Sequence, residues 1–342
     1  MESWEKATFM MFIITVFSVL IFLALLTPVQ GVVTRFRINF TPKGVGLGEQ
    51  GDEQALSQDM RVGPVVNSVW EMFSRVRRIE GTLGFFKGLS TSFTAILRVV
   101  SFPESRTTVK RSSLTLILIN ASSSAFWALV LTLISIPGEI LVNRAVTTPH
   151  KLPWFQPRIA LRALFTPYER SKPWVLYLTP GLALAQTLHV LYFLIVARGL
   201  RAVLVPSYTP NNFILNGESL GAYGGFWAYL GMAAYAAFLI ASVLVLTPLE
   251  VLSARLSVQR NHPRGATALP TSASAAGMND DDGGIGLEYA GAEEDVIALR
   301  NEDEPYQSLV DAYRKVVMEE GTKTLYRCWW LTLLATLGSG YA

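Results

Sequence analysis

The sequence predicts an all-α membrane protein of six transmembrane helices arranged as three related units, and three observations predict it. Charged residues make up 16% of the 342 residues and apolar residues 51%, whereas a soluble domain carries about 25% charged. No Asp, Glu, Lys or Arg occurs between Lys6 and Arg35, between Arg111 and Glu139, or between Glu218 and Glu250. Each gap exceeds the roughly 20 apolar residues that cross a hydrocarbon core. Finally, these three runs end on the same pattern of residues.

The first helix is placed at 8–35. Its apolar run, Phe9 to Leu26, is longer than the roughly 7–15 residues of a signal-peptide core. Glu2, Glu5 and Lys6 precede it and no small-residue cleavage site follows, which reads as a retained helix. The second, 88–105, is built on the apolar stretch Leu89 to Phe102 and carries Arg98. The third covers 113–144. In the fourth, 173–199, the stretch Val175 to Ala197 has only His189 as a possible charge. The fifth runs over 219–256. The sixth is placed at 325–342, where Trp329 to Ala342 is short for a full crossing, so the helix begins near Leu325, tilts or stops early.

Between these lie two loops, Gly44 to Gly63 and Asn261 to Pro305. The second holds Asn279-Asp280-Asp281-Asp282-Gly283-Gly284 among scattered acids, a composition that buries too little apolar area to fold alone. Val65 to Ile79 and Tyr306 to Met318 have apolar residues every three or four positions, as in helices lying on a membrane interface.

Composition also excludes functions. The formal net charge is +3 and the basic residues stand at the ends of the apolar runs, where they reach headgroups; there is no basic stripe interleaved with aromatics for a nucleic acid. Cys328 is the sole cysteine, so no intrachain disulfide or CxxC site exists. No Ser-His-acid, Walker-type or HExxH pattern is present, which argues against an enzyme, and nothing implies a cofactor. His150 and His262 fall in loops, and Asp280 to Asp282 lack the Gly and closing Glu of a calcium loop, so no metal site is expected.

Internal repetition carries the rest. Thr27-Pro28-Val29-Gln30 leads to Arg35, Ile136-Pro137-Gly138-Glu139 to Arg144, and Thr247-Pro248-Leu249-Glu250 to Arg255. In each, an acid or amide stands two places after the proline and an arginine seven places after it. Glu80-Gly81-Thr82-Leu83-Gly84-Phe85-Phe86-Lys87-Gly88 is echoed by Glu320-Gly321-Thr322-Lys323-Thr324-Leu325-Tyr326-Arg327-Cys328, and more weakly by Glu169-Arg170-Ser171-Lys172-Pro173-Trp174. The units are residues 1–105, 106–200 and 201–342.

This threefold pattern resembles the signature of the mitochondrial carrier family over nearly the whole chain. The resemblance implies six tilted helices around a central cavity, three short helices parallel to the membrane on one side, and alternating access for a small-molecule solute across a mitochondrial membrane, the inner one favoured. Degenerate members of such a family in the outer membrane act instead in membrane fusion or protein insertion, with protein partners, and that alternative stays open.

Proline in a membrane helix frees a carbonyl and kinks the segment. Pro28, Pro137 and Pro248 are therefore read as kinks near a gate, the alternative being that they merely end each span. In the family the acid after each proline pairs with a cation three positions on; here those positions hold Val33, Val142 and Ser253, and Gln30 replaces the first acid. Glu139 and Glu250 are thus left as gate carboxylates that either meet other cations or belong to a degenerate latch. Arg35, Arg144 and Arg255 lie five residues past the acid position, about 140° around a helix, and are expected at headgroups or surface helices. Ionisable groups within spans are read as functional: Arg98, and Gln186 with His189 one turn apart on one face, are the candidate solute-binding residues. Snorkelling for Arg98 and a simple bundle hydrogen bond for His189 are the competing roles.

Overall fold

The computed structural model describes residues 2–43, 65–87, 114–153, 156–204, 226–262, 289–291, 294–301 and 304–341. The described residues are mostly helical, with no strand among them. We number the principal helices α1 (Glu2–Ile38), α2 (Val69–Ile79), α3 (Leu114–Thr147), α4 (Pro157–Leu164), α5 (Leu182–Leu191), α6 (Phe226–Val258), α7 (Leu309–Glu319) and α8 (Trp329–Tyr341).

Five of the six anticipated long helices have counterparts. The second, 88–105, and the loop 44–63 lie outside the described residues. The fourth is not one uniform helix. It opens with a 3₁₀ stretch at Pro173–Leu178, becomes α-helical at Leu182, widens into a π stretch at Tyr192–Ala197 and resumes over Arg198–Leu204. The sixth begins at Trp329, after a 3₁₀ turn at Thr322–Tyr326, rather than at Leu325.

Among the described residues three segments are long and apolar enough to cross a membrane: Phe126–Thr147 in α3, Leu182–Arg201, and Tyr229–Val258 in α6. Their surfaces agree. Phe126, Trp127 and Ile134 on α3 and Ile240 and Leu244 on α6 are exposed, an apolar face that water would not tolerate at this extent but lipid does. Two hydroxyls on these helices bond back to their own backbone, Thr132 donating to the Ala128 carbonyl at 2.7 Å and Ser242 to that of Phe238 at 2.9 Å, whereas the buried Thr247 hydroxyl has no hydrogen-bond partner among the described residues. The first two are thereby satisfied without water.

Short helices are started by local capping. Ser68 accepts from the Glu71 N–H while Glu71 accepts from that of Ser68, a capping box that opens α2. α7 opens on a related cap: the Ser308 hydroxyl accepts from the Asp311 N–H at 3.1 Å, while the Asp311 carboxylate accepts from the N–H of Gln307 at 3.0 Å. Each serine precedes its repeat's glutamate, Glu80 or Glu320, by twelve residues. α4 has no such serine; it starts on Pro157, a residue suited to the first helical position.

All three repeat prolines sit inside their helices. α1 ends at Ile38, α3 at Thr147 and α6 at Val258, each ten residues past its proline. A proline removes the N–H that would bond the carbonyl four residues earlier. At Pro248 that carbonyl belongs to Leu244, and the Tyr326 hydroxyl lies 3.4 Å from it as a long donor.

The described residues divide into two compact units. One takes in those of Met1–Val100, Pro137–Leu176 and Ser257–Pro305; the other those of Ser101–Ile136, Tyr177–Leu256 and Tyr306–Ala342. In the first, the buried residues Val32, Val33 and Phe36 of α1, Met72 and Val76 of α2, and Ala145 and Val146 of α3 make the core. In the second, Tyr235 and Leu239 of α6 pack with Ala197, Phe193 and Leu337. The start of α5 lies hard against α7: a Cβ on Gly181 would come within 2.4 Å of the Leu309 nitrogen, and its φ of +81° already demands glycine.

The acidic loop 261–305 is read from composition as burying too little apolar area to fold alone, and residues 294–301 within it pack against the first unit. Val296, Ile297 and Ala298 are buried, the Ala290 N–H donates to the Pro149 carbonyl at 2.8 Å, and the Phe40 N–H donates to that of Ala298 at 3.0 Å. A short apolar triplet suffices here because α1, α2 and α3 supply the other half of the core.

Candidate functional site

The seventh residue after each proline meets the glutamate of its own repeat. Arg35 pairs with Glu80 at 2.5 Å, Arg144 with Glu169 at 2.6 and 2.8 Å, and Arg255 with Glu320, its Nη2 lying 2.9 Å from Oε2. The six side chains are at most 4% exposed. Charges this deep persist only when paired; Arg35 is paired through Nη2, its Nη1 being buried with no hydrogen-bond partner among the described residues. The weak second echo in the sequence is therefore a true structural equivalent: Glu169 does what Glu80 and Glu320 do. Each arginine thus bonds a glutamate in the short-helix region of its own repeat.

Around the shared pair the repeats differ. In the first, Lys87 joins Arg35 on Glu80 and also donates to the Thr148 carbonyl at 3.0 Å. Burial lowers the Lys87 ammonium's affinity for its proton, against the opposing pull of Glu80. In the third, Arg327 occupies the position of Lys87 and feels the charges of both Arg255 and Glu320.

The second repeat has Leu176 there, and Asn261 substitutes for the cation. Its backbone N–H and side-chain amide both donate to Glu169 Oε1, at 2.9 and 3.0 Å. Burial pushes the Glu169 carboxyl's pKa up, but Arg144 and the N–H groups of Asn261 and Thr166 outweigh it and hold the group below its ordinary value.

Arg144 is satisfied completely. Its five N–H groups reach the carbonyls of Ser257, Leu164 and Gln259 and the two oxygens of Glu169, the whole donor complement of a guanidinium. Asn143 adds a bond to the Ser257 hydroxyl at 2.7 Å. The end of α3 is thus tied to α4, to Glu169 and to the end of α6.

The gate residues separate. Gln30 is exposed and Val33 buried, so no charged latch forms at the first repeat. Val142 offers no charge, and Ser253 donates to the backbone carbonyl of Glu250 within its own helix. Glu250, however, is met from two other helices. The Thr332 hydroxyl of α8 donates to Oε2 at 2.6 Å, and His189 Nε2 of α5 stands 3.5 Å from Oε1. Gln186 is buried one turn before His189. Arg98 lies outside the described residues.

Sequence reasoning anticipated His189 and Glu250 separately, and Thr332 not as a partner. The signal available was weak: all three are polar groups in apolar helices, but their spacing along the chain carries no information on which helices face each other. Together they form an acceptor, a hydroxyl donor and a titratable imidazole at one point, able to hold or exchange a proton or to bond a polar solute.

These features define the protein's class: a helical membrane protein with, among the described residues, three segments long and apolar enough to span, whose repeats each close on a buried arginine–glutamate pair. No family model, curated protein or solved structure matches the chain.

Proposed function

We propose that the chain is a divergent carrier-type protein of the mitochondrial membrane, the inner one favoured, that moves a small solute by alternating access. The observation carrying this reading is the threefold recurrence of one device: a helix running ten residues beyond an internal proline, its arginine bonded to a buried glutamate of the same repeat. Periodic recurrence across three units of unlike loop length is what a threefold carrier requires. In this reading Arg98, Gln186 and His189 contact the solute, while Glu250 with His189 and Thr332 forms the third gate element.

A second reading is favoured by Val33, Val142 and Ser253, which cannot supply latch cations. It is a non-transporting, carrier-like outer-membrane protein acting in membrane fusion or insertion of other proteins.

Reconstitution into liposomes with a broad panel of labelled metabolites separates the two. Transport predicts saturable uptake of at least one solute, reduced in Arg98→Ala and in His189→Ala. A panel without uptake, together with outer-membrane localisation, would exclude the carrier reading.

A further inference from the structure

Residues 289–291 and 294–301 sit against the first unit, with the acidic side chain of Glu294 on a basic face of α2. Glu294 bonds Arg75 at 2.8 Å and Arg78 at 2.8 Å, both on α2, and the field of Asp295 reaches Arg75 and Lys87. Arg75 is buried, whereas Glu294 is partly and Arg78 largely exposed. Apolar anchoring is confined to Val296, Ile297 and Ala298.

The same segment touches the ends of two further helices. Just past α1, the Asn39 side-chain oxygen accepts from the Ala298 N–H at 3.0 Å while Phe40 donates to the Ala298 carbonyl. Just past α3, the Tyr289 ring lies 4.4 Å from that of His150, beside the Ala290 to Pro149 bond. Gly291 passes so close to α2 that a Cβ there would lie 2.5 Å from the Ile79 side chain. A single segment therefore joins the ends of α1, α2 and α3.

We propose that residues 289–291 and 294–301 are a detachable clasp, and that the basic face of α2 is a docking site for an acidic peptide which the chain supplies in cis through Glu294 and Asp295. The hold combines these ion pairs with the buried triplet and the backbone hydrogen bonds of Ala290 and Ala298; pairs such as Arg78–Glu294 are open to solvent, so they are its salt-sensitive part. Detachment would uncover Arg75 and remove one link between the ends of α1 and α3, another being Lys87, which bonds Glu80 and the Thr148 carbonyl. Where the transport reading holds, the clasp must leave before those helix ends can part, a consequence that rests on that reading; the docking itself does not.

The test uses a thiol on the clasp. In the full chain carrying Cys328→Gly, Val296→Cys places a cysteine at a position 7% exposed, and its labelling by a hydrophilic maleimide reports local opening. The expected result is slow labelling at low salt and labelling about tenfold faster in the Glu294→Lys, Asp295→Lys variant, each pair being of the strength that shifts such an opening severalfold. A cysteine at Ala145, buried in α3, should stay protected in both, which separates clasp release from general unfolding. Arg75→Glu with Arg78→Glu, combined with Glu294→Lys, should restore slow labelling. Fast labelling of the starting chain, no acceleration on charge reversal, or no rescue by the swapped charges would each overturn the proposal. Labelling reads the clasp whether or not any solute moves; uptake reads the carrier assignment separately.

Discussion

The first and second repeats solve one problem with different chemistry. In the first, a single carboxylate answers two cations, Arg35 and Lys87. In the second, Glu169 answers one cation and takes its remaining bonds from the amides of Asn261. The second cation is therefore dispensable, whereas the arginine and the glutamate recur. What also recurs is the reach toward the next proline-bearing helix. Lys87 bonds Thr148 just past α3, while Arg144 and Glu169 bond Ser257, Gln259 and Asn261 at the end of α6. Each station closes its own repeat, and the first two also brace the following one.

The sharpest way to break the comparison is to remove the carboxylates. Glu169→Ala strands a fully coordinated, buried Arg144 and should cost about 3–5 kcal/mol. Glu80→Ala strands two cations and should cost at least as much, both measured by thermal denaturation in detergent. If Glu169→Ala were nearly neutral, Asn261 and the carbonyls alone would suffice.

Acid should act on the second station in a known direction. Glu169 titrates below its ordinary value in the folded state, so the protein gains stability from it at pH values above the usual carboxylate range. That gain is lost as pH falls through this range toward the folded pKa. The stability gap between the wild type and Glu169→Gln should accordingly narrow on acidification.

A smaller effect distinguishes the turns that follow the glutamates. Gly81 and Gly321 have φ of +70° and +97°, so alanine at either should cost about 1–2 kcal/mol from backbone strain alone. At Gly81 no side-chain clash contributes, because nothing lies within 4 Å of a Cβ there. The second repeat has Arg170 inside a helical turn, and Arg170→Ala should stay within about 0.5 kcal/mol.

The smallest expected change is a gain. Cys328 stands where the first repeat has Gly88 and adopts a φ of +61°. Cys328→Gly should stabilise the chain by about 1 kcal/mol, read as a higher melting temperature.

Much of this architecture was legible from residues alone. Charge-free runs marked the proline-bearing helices to within a few residues at most of their ends, because a hydrocarbon core penalises charge uniformly along a span. The arginines and glutamates were visible as repeats, but their pairing was not. Between 25 and 65 residues separate the partners, and only the fold closes those distances. The π and 3₁₀ stretches of the fourth segment left no mark in hydropathy, which registers burial and not helix pitch. His189, Glu250 and Thr332 each stood out as polar residues in apolar surroundings, yet their convergence depends on how helices face one another. The clasp was missed because an acidic, glycine-rich average over 261–305 hides Tyr289 and the triplet Val296-Ile297-Ala298, which were the available signal.

The ten residues beyond each proline have a mechanical consequence. At about 1.5 Å per residue each segment is an arm about 15 Å long, and a rotation of about 10° at its proline would carry the tip about 3 Å. The arginine rides near that tip, bonded to a glutamate beyond the helix. In the first two repeats the tip is also fastened to the end of the next arm. A swing begun in α1 would therefore be handed on to α3 and then to α6 as displacement, so the arms are geared to one another rather than free to move singly.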